Sequence, residues 1–219
     1  MISVPVYNMS GERTGETEVD EAVLGGKVRY DLLKQAVVLW QSNRRQGSAR
    51  TKNRSLVEGS TRKLYRQKGT GNARMGTVRT CVRRGGGVAH AKRHLVFERS
   101  MPRRMRQAAR NSAVLAKLKS DSVAIIESIA METPRTRTFY AMLRKVGADR
   151  GCVVALASPD PVVVRSGRNI PRTEIVPVHD LNAYEILRRR KLLFTREAWE
   201  QVLANPGTWR REAVPAAGS

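Results

Sequence analysis

The sequence predicts an α/β fold: a Rossmann-like globular domain whose parallel sheet is flanked by helices, with a long extended basic loop inserted in it. Short apolar runs alternate with helical patterns from residue 123 onward, which is typical of βαβ units. Between 44 and 94 the apolar periodicity disappears and the positive charge rises. We therefore predict a globular α/β domain over 1–43 and 95–206, a loop over 44–94, and a flexible C-terminal tail over 207–219.

The helix predicted before the loop covers residues 29–45, RYDLLKQAVVLWQSNRR. Its apolar residues recur at helical spacing, and the stripe consists of Tyr30, Leu33, Val37 and Trp40, widened by Leu32, Ala36 and Leu39. So broad an apolar surface predicts a helix that is largely buried.

A second helix is predicted after the loop, with Ser100 as N-cap and Pro102 in its first turn. One face of this helix is small and apolar and is made up of Met105, Ala108, Ala109, Ser112, Leu115 and Ala116. Another face is basic and is made up of Arg103, Arg106, Arg110 and Lys117. Beside so basic a loop, we expect this face to contact phosphate groups.

The remaining elements alternate between strand and helix. Strands are predicted at 123–127, 152–157, 174–178 and 191–195. The second of these strands, CVVALA, is apolar at every position, as in strands buried on both faces of a parallel sheet. Helices are predicted at 136–146, at 181–190 after Asp180 as N-cap, and at 196–204 after Thr195 as N-cap.

The loop carries most of the excess charge of a strongly basic chain. The 219 residues include 41 Lys and Arg and 19 Asp and Glu, for a formal net charge of +22. Residues 42–94 contain fifteen of the Lys and Arg and a single acid, Glu58. Because such charge opposes folding by self-repulsion, its usual physical reason is a polyanionic partner. The segment cannot bury enough apolar surface to fold alone, so we expect it to be disordered or extended and to order along folded RNA.

Two nucleotide-binding motifs fail in the glycine-rich part of the loop. Gly71 and Gly76 have the spacing of a P-loop, but Thr77 stands where the phosphate-binding lysine is needed. A dinucleotide fingerprint beginning at Gly69 fails because Arg74 occupies its third glycine position and no apolar strand precedes it. We therefore predict no cofactor.

No catalytic or metal-binding constellation stands out. His90 and His94 are four residues apart and near Cys81, but no C-x-x-C or H-E-x-x-H motif accompanies them, and the surrounding charge disfavours a cation. The pair His179–Asp180 could act as acid and base, although Asp180 is adequately explained as a helix cap. The sequence therefore predicts no metal site and no enzyme.

The cysteines and the hydropathy pattern indicate a soluble protein of a reducing compartment. Cys81 lies in the loop and Cys152 in a predicted strand, so we expect free thiols and no disulfide. No apolar run is long enough for a membrane helix, and the N-terminal residues resemble neither a signal nor a transit peptide. We expect a cytoplasmic protein without a membrane partner.

The loop resembles that of a known family. Its most specific pieces are Arg45-Gln46-Gly47, the run RQKGTG at 66–71, Ala73-Arg74 with Gly76, and Gly85-Gly86-Gly87-Val88. These pieces, together with LNAYEILRRRKLLFTREAWEQV near the C-terminus, resemble the universal large-ribosomal-subunit protein four family in its bacterial form. The chain departs from that pattern at Leu64-Tyr65, Asn72, Thr80-Cys81 and His90-Ala91-Lys92.

The resemblance implies a structural, non-catalytic role. In that family a globular α/β domain lies on the surface of the large subunit, and the loop penetrates rRNA and helps to line the nascent-peptide exit tunnel. Expected partners are therefore large-subunit rRNA, neighbouring large-subunit proteins including protein twenty-two at the tunnel constriction, and the nascent peptide. The tip of the loop would lie at about 62–75.

Carried over to this sequence, the resemblance and the charge pattern give a set of candidate residues. The residues expected to bind rRNA are Arg44, Arg45, Arg50, Lys52, Arg54, Arg62, Lys63, Arg66, Gln67, Lys68, Gly69, Gly71, Arg74, Arg79, Arg83, Arg84, Gly85, Gly86, Lys92, Arg93, Arg103, Arg106 and Arg110. Those expected at the tunnel tip are Arg62, Lys63, Leu64, Tyr65, Arg66, Lys68 and Arg74.

Two other functional classes stay open at this point. One is a nucleotide-using enzyme in the α/β domain, which the failed phosphate motifs disfavour. The other is a non-ribosomal nucleic-acid binder, such as a regulator that binds an mRNA leader or controls transcription. A nucleotide-soaking or ATPase assay would test the first class, and migration with the large subunit after a high-salt wash would separate the second from the ribosomal prediction.

Overall fold

The computed structural model describes residues 1–207 and 209, and these divide into two compact units. One unit consists of Met1–Trp40 and the described residues from Ser100 onward, and the other is Gln41–Arg99. The first unit contains every strand of the sheet, whereas the second is mainly turns and extended chain.

Six strands and six α-helices follow one another in the described residues. The strands are β1 (Ile2–Tyr7), β2 (Arg13–Val19), β3 (Val123–Ile126), β4 (Cys152–Leu156), β5 (Thr173–Pro177) and β6 (Lys191–Thr195). The helices are α1 (Tyr30–Asn43), α2 (Arg103–Lys119), α3 (Thr136–Lys145), α4 (Pro161–Gly167), α5 (Ala183–Arg188) and α6 (Arg196–Ala204). Short 3₁₀ turns lie at Glu21–Leu24 and Val178–Asp180.

The strands form one sheet in the order β2-β1-β3-β6-β4-β5. Strand β2 pairs antiparallel with β1, and all other neighbouring pairs are parallel. The parallel strands are connected through helices, as the alternation in the sequence indicates. The predicted α/β class is thus confirmed, with an antiparallel strand added at one edge.

Apolar residues cover both faces of the sheet, and the interior strand β4 shows how. Val153 and Ala155 belong to a core cluster that includes residues of α2, α5 and α6. Cys152, Val154 and Leu156 point to the opposite face and belong to a second cluster, which includes residues of α3 and α4. Because successive side chains of a strand alternate between faces, a strand covered by helices on both sides must be apolar throughout.

The four strands predicted from the sequence are confirmed as β3 to β6, and the helices predicted at 136–146 and 196–204 are confirmed as α3 and α6. The ends of these six elements differ from the predicted ends by at most one residue.

The N-terminal hairpin β1–β2 has no counterpart in the prediction. Strand β1 contains Pro5, and β2 is polar, with the sequence RTGETEV. Polar residues are tolerated on β2 because it is the edge strand of the sheet, and Pro5 of β1 lies before Val6 and Tyr7, the residues that pair with β3. The turn between the strands is closed by the Asn8 N–H, which donates to the Glu12 carbonyl at 3.0 Å, and Gly11 takes a positive φ of 76°.

Helix α1 occupies its predicted position, but the prediction that it is largely buried is wrong within the described chain. Leu33 is its one buried residue, and Tyr30 is 77% exposed. Trp40 is half-buried, and its ring stacks on that of Tyr184 with centroids 3.8 Å apart. Helical periodicity identifies an apolar face but cannot show whether the same chain supplies a surface to cover it.

Two predicted helix caps are also wrong. Helix α2 begins after Pro102, which occupies the N-cap position without a side-chain hydrogen bond, so Ser100 is not the cap. Helix α5 is capped by Asn182, whose Oδ1 accepts from the Glu185 N–H at 3.0 Å, whereas Asp180 ends the preceding 3₁₀ turn. Thr195 does hold the N-cap position of α6, but its side chain makes no capping hydrogen bond. Neighbouring polar residues offer several caps, and the tertiary path selects among them.

Helix α4 was not anticipated because it is only 7 residues long. Asp160 caps it by accepting from the Val162 N–H at 2.8 Å, and Pro161 occupies its first turn. Both are ordinary helix-start signals, but about two turns carry too few apolar positions to show periodicity.

The predicted tail lies outside the described residues except at Gly207 and Trp209. Trp209 is fully buried, and the Arg110 guanidinium lies 3.9 Å from the centroid of its ring. Asn111 Nδ2 donates to the Pro206 carbonyl at 2.9 Å. These contacts join the end of the described chain to α2. Among the described residues, no helix is both long and apolar enough to cross a membrane.

Replacing Phe139 by alanine should destabilise the α/β unit. The ring is fully buried in the cluster beneath α3, so its loss leaves a cavity that should lower the free energy of unfolding by about 3–5 kcal/mol. Urea unfolding followed by circular dichroism measures the effect. The matched control is Tyr140→Ala on the same helix, where the side chain is 44% exposed and the cost should stay below about 1 kcal/mol. Equal losses for the two variants would contradict the described core.

Candidate nucleic-acid interface

The unit Gln41–Arg99 is closed at its base by hydrogen bonds between its two ends. Asn43 Nδ2 donates to the Arg99 carbonyl at 3.1 Å, and Asn43 Oδ1 accepts from the Arg99 N–H at 2.8 Å. The Ser42 hydroxyl donates to the Phe97 carbonyl at 2.7 Å. The Arg45 guanidinium lies 3.7 Å from the centroid of the Phe97 ring, a cation–π contact. The outgoing and returning chains therefore start side by side.

The two chains stay together through the middle of the unit. The Thr51 N–H donates to the Lys92 carbonyl at 3.1 Å, and the Lys92 N–H donates to the Thr51 hydroxyl at 2.8 Å. Further along, the Val88 N–H donates to the Lys52 carbonyl at 2.9 Å. These few cross-chain bonds replace a regular β-ladder, so the segment keeps an extended path without forming a sheet.

Gly87 allows the outgoing and returning chains to approach this closely, and Gly86 allows a close approach within the returning chain. A Cβ atom added at Gly87 would lie 2.2 Å from the Arg54 amide nitrogen, and one added at Gly86 would lie 1.9 Å from the Thr80 carbonyl oxygen. Both neighbours are main-chain atoms that cannot rotate away. Glycine is therefore needed at both positions for steric reasons. The atoms that leave no room for a side chain belong to the protein itself and not to a ligand.

Short turns shape the chain between the base and the distal end. Asn53 Oδ1 accepts from the N–H groups of Ser55 and Leu56, each at 3.0 Å. Arg79 Nη1 donates to the Val57 carbonyl at 3.1 Å, which joins the outgoing chain to the returning one. Arg79 is half-buried, unlike the other lysines and arginines of the loop. This contact gives Arg79 a structural role within the loop.

The distal end forms a small hairpin between Lys63 and Thr77, which make an isolated antiparallel bridge. The Leu64 N–H donates to the Gly76 carbonyl at 3.1 Å. Lys63 Nζ donates to the Met75 carbonyl at 2.9 Å, and the Tyr65 hydroxyl donates to the Ala73 carbonyl. Side chains therefore tie the hairpin together where backbone pairing is sparse.

The turn of this hairpin contains the RQKGTG run. Gly69 and Gly71 take positive φ angles of 82° and 70°, a conformation that other residues rarely adopt. Arg66 Nη2 donates to the Gly69 carbonyl at 2.7 Å, and Gln67 Oε1 accepts from Lys63 Nζ at 2.8 Å. The glycines in this run thus serve the turn geometry.

The cationic side chains predicted to bind RNA are exposed along the whole unit, apart from Arg79. The exposed members are Arg44, Arg45, Arg50, Lys52, Arg54, Arg62, Lys63, Arg66, Lys68, Arg74, Arg83, Arg84, Lys92 and Arg93. Among the described residues of this unit the acids are Glu58 and Glu98, both exposed. At so high a density of one sign, the summed potential attracts a polyanion over the full length of the loop.

Apolar side chains are also exposed on the same unit, and of these only Leu64 belongs to the predicted site. They are Leu56, Leu64, Val78, Val82, Val88, Leu95 and Val96. Apolar side chains interleaved with cations can pack on sugars and base faces once phosphates hold the chain in place. The signal was present in the sequence as isolated aliphatic residues without periodicity.

A groove of about 680 Å³ lies within this unit between the outgoing and returning chains. Its lining includes Arg50, Asn53, His90, Lys92 and Arg93. Cationic and amide groups converge there from both chains, which suits a phosphate or a base edge. His90 and His94 line this groove, and no group of three or more potential metal ligands occurs in residues 1–207 and 209.

The basic face of α2 belongs to the other unit. Arg103 and Arg106 are exposed, as expected for phosphate contact. Arg110 stacks on Trp209 and donates to the Gly207 carbonyl at 3.4 Å, and burial lowers the pKa of its guanidinium to about 10. Lys117 donates to the Arg189 and Arg190 carbonyls. Two of the four cations of this face therefore bind groups of their own chain, because Trp209 and the end of α5 pack against α2.

Relatives identify the group of proteins to which this architecture belongs. A family model described as "Ribosomal protein L4/L1 family" matches residues 17–204. The chain belongs to this family. It is 40% identical over 201 residues to a protein of Dehalococcoides mccartyi named large ribosomal subunit protein uL4, covering 92% of this chain and 96% of the relative.

Two further relatives carry the same name. A protein of Rhodopirellula baltica is 36% identical over 203 residues, covering 92% of this chain and 91% of the relative. A protein of Symbiobacterium thermophilum is 37% identical over 202 residues, covering 92% of this chain and 98% of the relative. The bacterial resemblance inferred from the RQKGTG run and the C-terminal helices is confirmed at the level of the family.

Several residues that shape the L4/L1 family loop here were absent from the predicted site. Asn43 and Ser42 close the base, Asn53 forms a turn, and Gly87 allows the closest chain approach. The Phe97 ring makes a cation–π contact with the Arg45 guanidinium. None of them has a charge, so a search guided by charge passes over them. The Gly85–Gly87 triplet was the one signal available.

The two cysteines should differ strongly in reactivity. Cys81 is exposed, whereas Cys152 is buried in β4, and burial raises the pKa of its thiol to about 11. At about pH 8 Cys152 therefore stays protonated and inaccessible, and N-ethylmaleimide should modify Cys81 at least about 100-fold faster. Mass spectrometry of native protein measures this, with Cys81→Ser as the control. Fast labelling of the folded Cys81→Ser variant would contradict the buried position of Cys152.

Proposed function

We propose that this chain is a structural constituent of the large ribosomal subunit that binds large-subunit rRNA and aids subunit assembly. Its relatives are named as proteins of that subunit, and it shares with them nearly its whole length. The observation that carries the proposal is the loop unit itself, in which cations are exposed from one end to the other and almost no acid offsets them. Only a polyanion that surrounds the loop would neutralise that arrangement.

The mechanism is scaffolding. Lysine and arginine side chains of the loop neutralise phosphates of RNA helices that would otherwise repel one another. Arginine predominates among these cations, and its planar guanidinium makes bidentate phosphate contacts and stacks on bases. Recognition rests on shape and backbone rather than on base sequence, because the deep major groove of A-form RNA is closed to side chains.

Within this role, the distal hairpin forms part of the wall of the nascent-peptide exit tunnel. The support is the family resemblance of the RQKGTG run together with the projection of the hairpin at the far end of the loop from its hydrogen-bonded base. Tyr65, Arg66, Lys68 and Arg74 are the side chains assigned to the tunnel surface. There the hairpin meets protein twenty-two and the nascent peptide.

The globular part, 1–43 with 95–206, anchors the loop, 44–94, at the subunit surface. Arg103 and Arg106 on α2 are exposed and free of acidic partners in the described chain, so they suit phosphate contact from this anchor. No catalytic step is assigned, since the loop glycines serve turns and close chain approach rather than a nucleotide site. A non-ribosomal regulator that binds an mRNA leader is the second candidate, because a loop built for phosphates does not by itself select rRNA.

Sedimentation of tagged protein through a sucrose gradient tests the ribosomal role. Full-length protein should stay with the large subunit in about 0.5 M salt, because many phosphate contacts act together. A variant lacking residues 62–75 should still bind, while the response of its ribosomes to tunnel-binding antibiotics changes. If full-length protein stays at the top of the gradient, the ribosomal role is wrong and the free RNA-binder replaces it.

Glycine substitutions test whether the internal shape of the loop is needed for this binding. Gly87→Ala should lower incorporation into large subunits roughly fivefold or more, because its Cβ would collide with the backbone at Arg54. The matched control is Gly76→Ala, where the nearest atom to a Cβ is a Thr80 methyl at 3.6 Å. Quantitative mass spectrometry of subunits from cells that also carry the unaltered protein gives the ratio. Equal incorporation of both variants would show that close chain approach is dispensable.

A further inference from the structure

A second surface, on the α/β unit, has the opposite charge to the loop. The ten residues 12–21 contain five acids and one base, Arg13, within a chain of net charge +22. The acids are Glu12, Glu16, Glu18, Asp20 and Glu21. They lie on and beside strand β2, where all but Glu21 are exposed. RNA cannot cover this surface favourably, because phosphates would face carboxylates.

Strand β2 is an open edge of the sheet. It pairs with β1 over Arg13–Val19, and on its other side it pairs with no strand of the described chain. An unpaired strand edge presents a row of backbone N–H and C=O groups, which can accept one more extended segment. The opposite edge strand, β5, carries Pro177, which cannot donate a ladder hydrogen bond.

A groove of about 280 Å³ opens beside this edge, between β2 and α6. Gly15, Val6 and Ile125 lie in one row across the sheet, since Val6 is paired with both of the others. A Cβ at Gly15 would meet no atom within 4 Å, so the row ends in open space at the edge. Val6 and Ile125, with Trp199 and Leu203 of α6, give the groove an apolar lining.

Carboxylates form much of the rim of this groove. Glu127 and Glu200 line it, against one guanidinium, that of Arg196, whereas the Glu16 side chain follows Gly15 on β2 and points to the other face of the sheet. Arg196 Nε lies 3.5 Å from Glu200 Oε1, and both side chains are 67% exposed. Glu16 pairs in the same exposed manner with Arg13 outside the groove. Exposed ion pairs of this kind contribute little, so an incoming cation can exchange into them.

We propose that the β2 edge and its groove bind an extended, basic segment of another polypeptide. The segment pairs with β2 as an added strand, and one of its lysine or arginine side chains enters the groove. The methylene stem of that side chain packs on the apolar lining beside Trp199, and its charged head reaches Glu127 and Glu200. The apolar lining and the carboxylate rim together fit such an amphipathic side chain better than a purely apolar one.

This surface would complement the loop. The loop repels a basic polypeptide and attracts RNA, whereas the β2 edge repels RNA and attracts a basic polypeptide. One chain could therefore hold an RNA and a basic protein at separate places. Charged residues on an edge strand also hinder edge-to-edge aggregation, and that protective role alone would leave the groove without an occupant.

A labelled peptide of alternating lysine and threonine, acetylated and amidated, is the probe for full-length protein. Fluorescence anisotropy should give a dissociation constant below about 1 mM. The double variant Glu127→Gln with Glu200→Gln should weaken binding roughly fivefold. Gly15→Val should weaken it by a similar factor by filling the open end of the row. The matched control, Glu132→Gln at an exposed position outside the groove, should leave binding unchanged.

Three results would overturn the proposal. No binding to the unaltered protein would show that the edge acids are protective only. Equal binding of a glutamate–threonine peptide would exclude charge recognition. Equal binding of the lysine peptide with methylated backbone amides would exclude strand pairing. Binding that appears only after Arg210 and Arg211 are replaced by serine would show that the tail of the same chain occupies the groove. Because Gly15→Val could disturb the hairpin, its far-UV circular dichroism is compared, and the double glutamine variant stands as the independent test.

Discussion

The pairing of Asn43 with Arg99 is the constraint on which the loop depends. One side-chain amide both donates to and accepts from the backbone of the returning chain, and thereby closes a segment of more than fifty residues at its base. Holding the ends together removes the entropy cost of bringing them into register each time the distal hairpin forms. Everything beyond, including the Thr51–Lys92 contacts and the hairpin turn, follows a chain that already runs out and back.

Charge separation organises the functional surfaces of the molecule. The loop concentrates cations where almost no apolar core exists, so its exposed arginines remain available to phosphates. The α/β unit concentrates apolar residues in the two layers that cover the sheet, and it carries the acids of β2 at one edge. Because the loop is almost wholly cationic and the β2 edge is mainly acidic, these two surfaces attract partners of opposite charge.

Contacts within the protein give a structural role to some residues whose charge alone would predict RNA binding. Arg79 donates a hydrogen bond to the Val57 carbonyl, and the Arg110 guanidinium stacks on the Trp209 ring. Both arginines therefore act within the protein, even though their sequence context resembles that of the exposed arginines. Gly86 and Gly87 similarly leave room for the main chain of Thr80 and Arg54, which a side chain at either position would strike. A basic, glycine-rich sequence therefore contains both the binding groups and the contacts that fix their positions.

The sequence by itself determined the α/β class, the strands β3 to β6, the concentration of positive charge in one segment and the family, because these depend on periodicity, net charge and short motifs that are local in the chain. Only the tertiary structure decided the edge hairpin β1–β2, the exposure of α1, the cap at Asn182 and the partner of Arg110. Each of these depends on which surface another part of the chain supplies. Polar strands are stable at the edge of a sheet, and an apolar helix face is buried only where another element packs on it. The local sequence pattern therefore predicts neither the hairpin nor the exposure of α1.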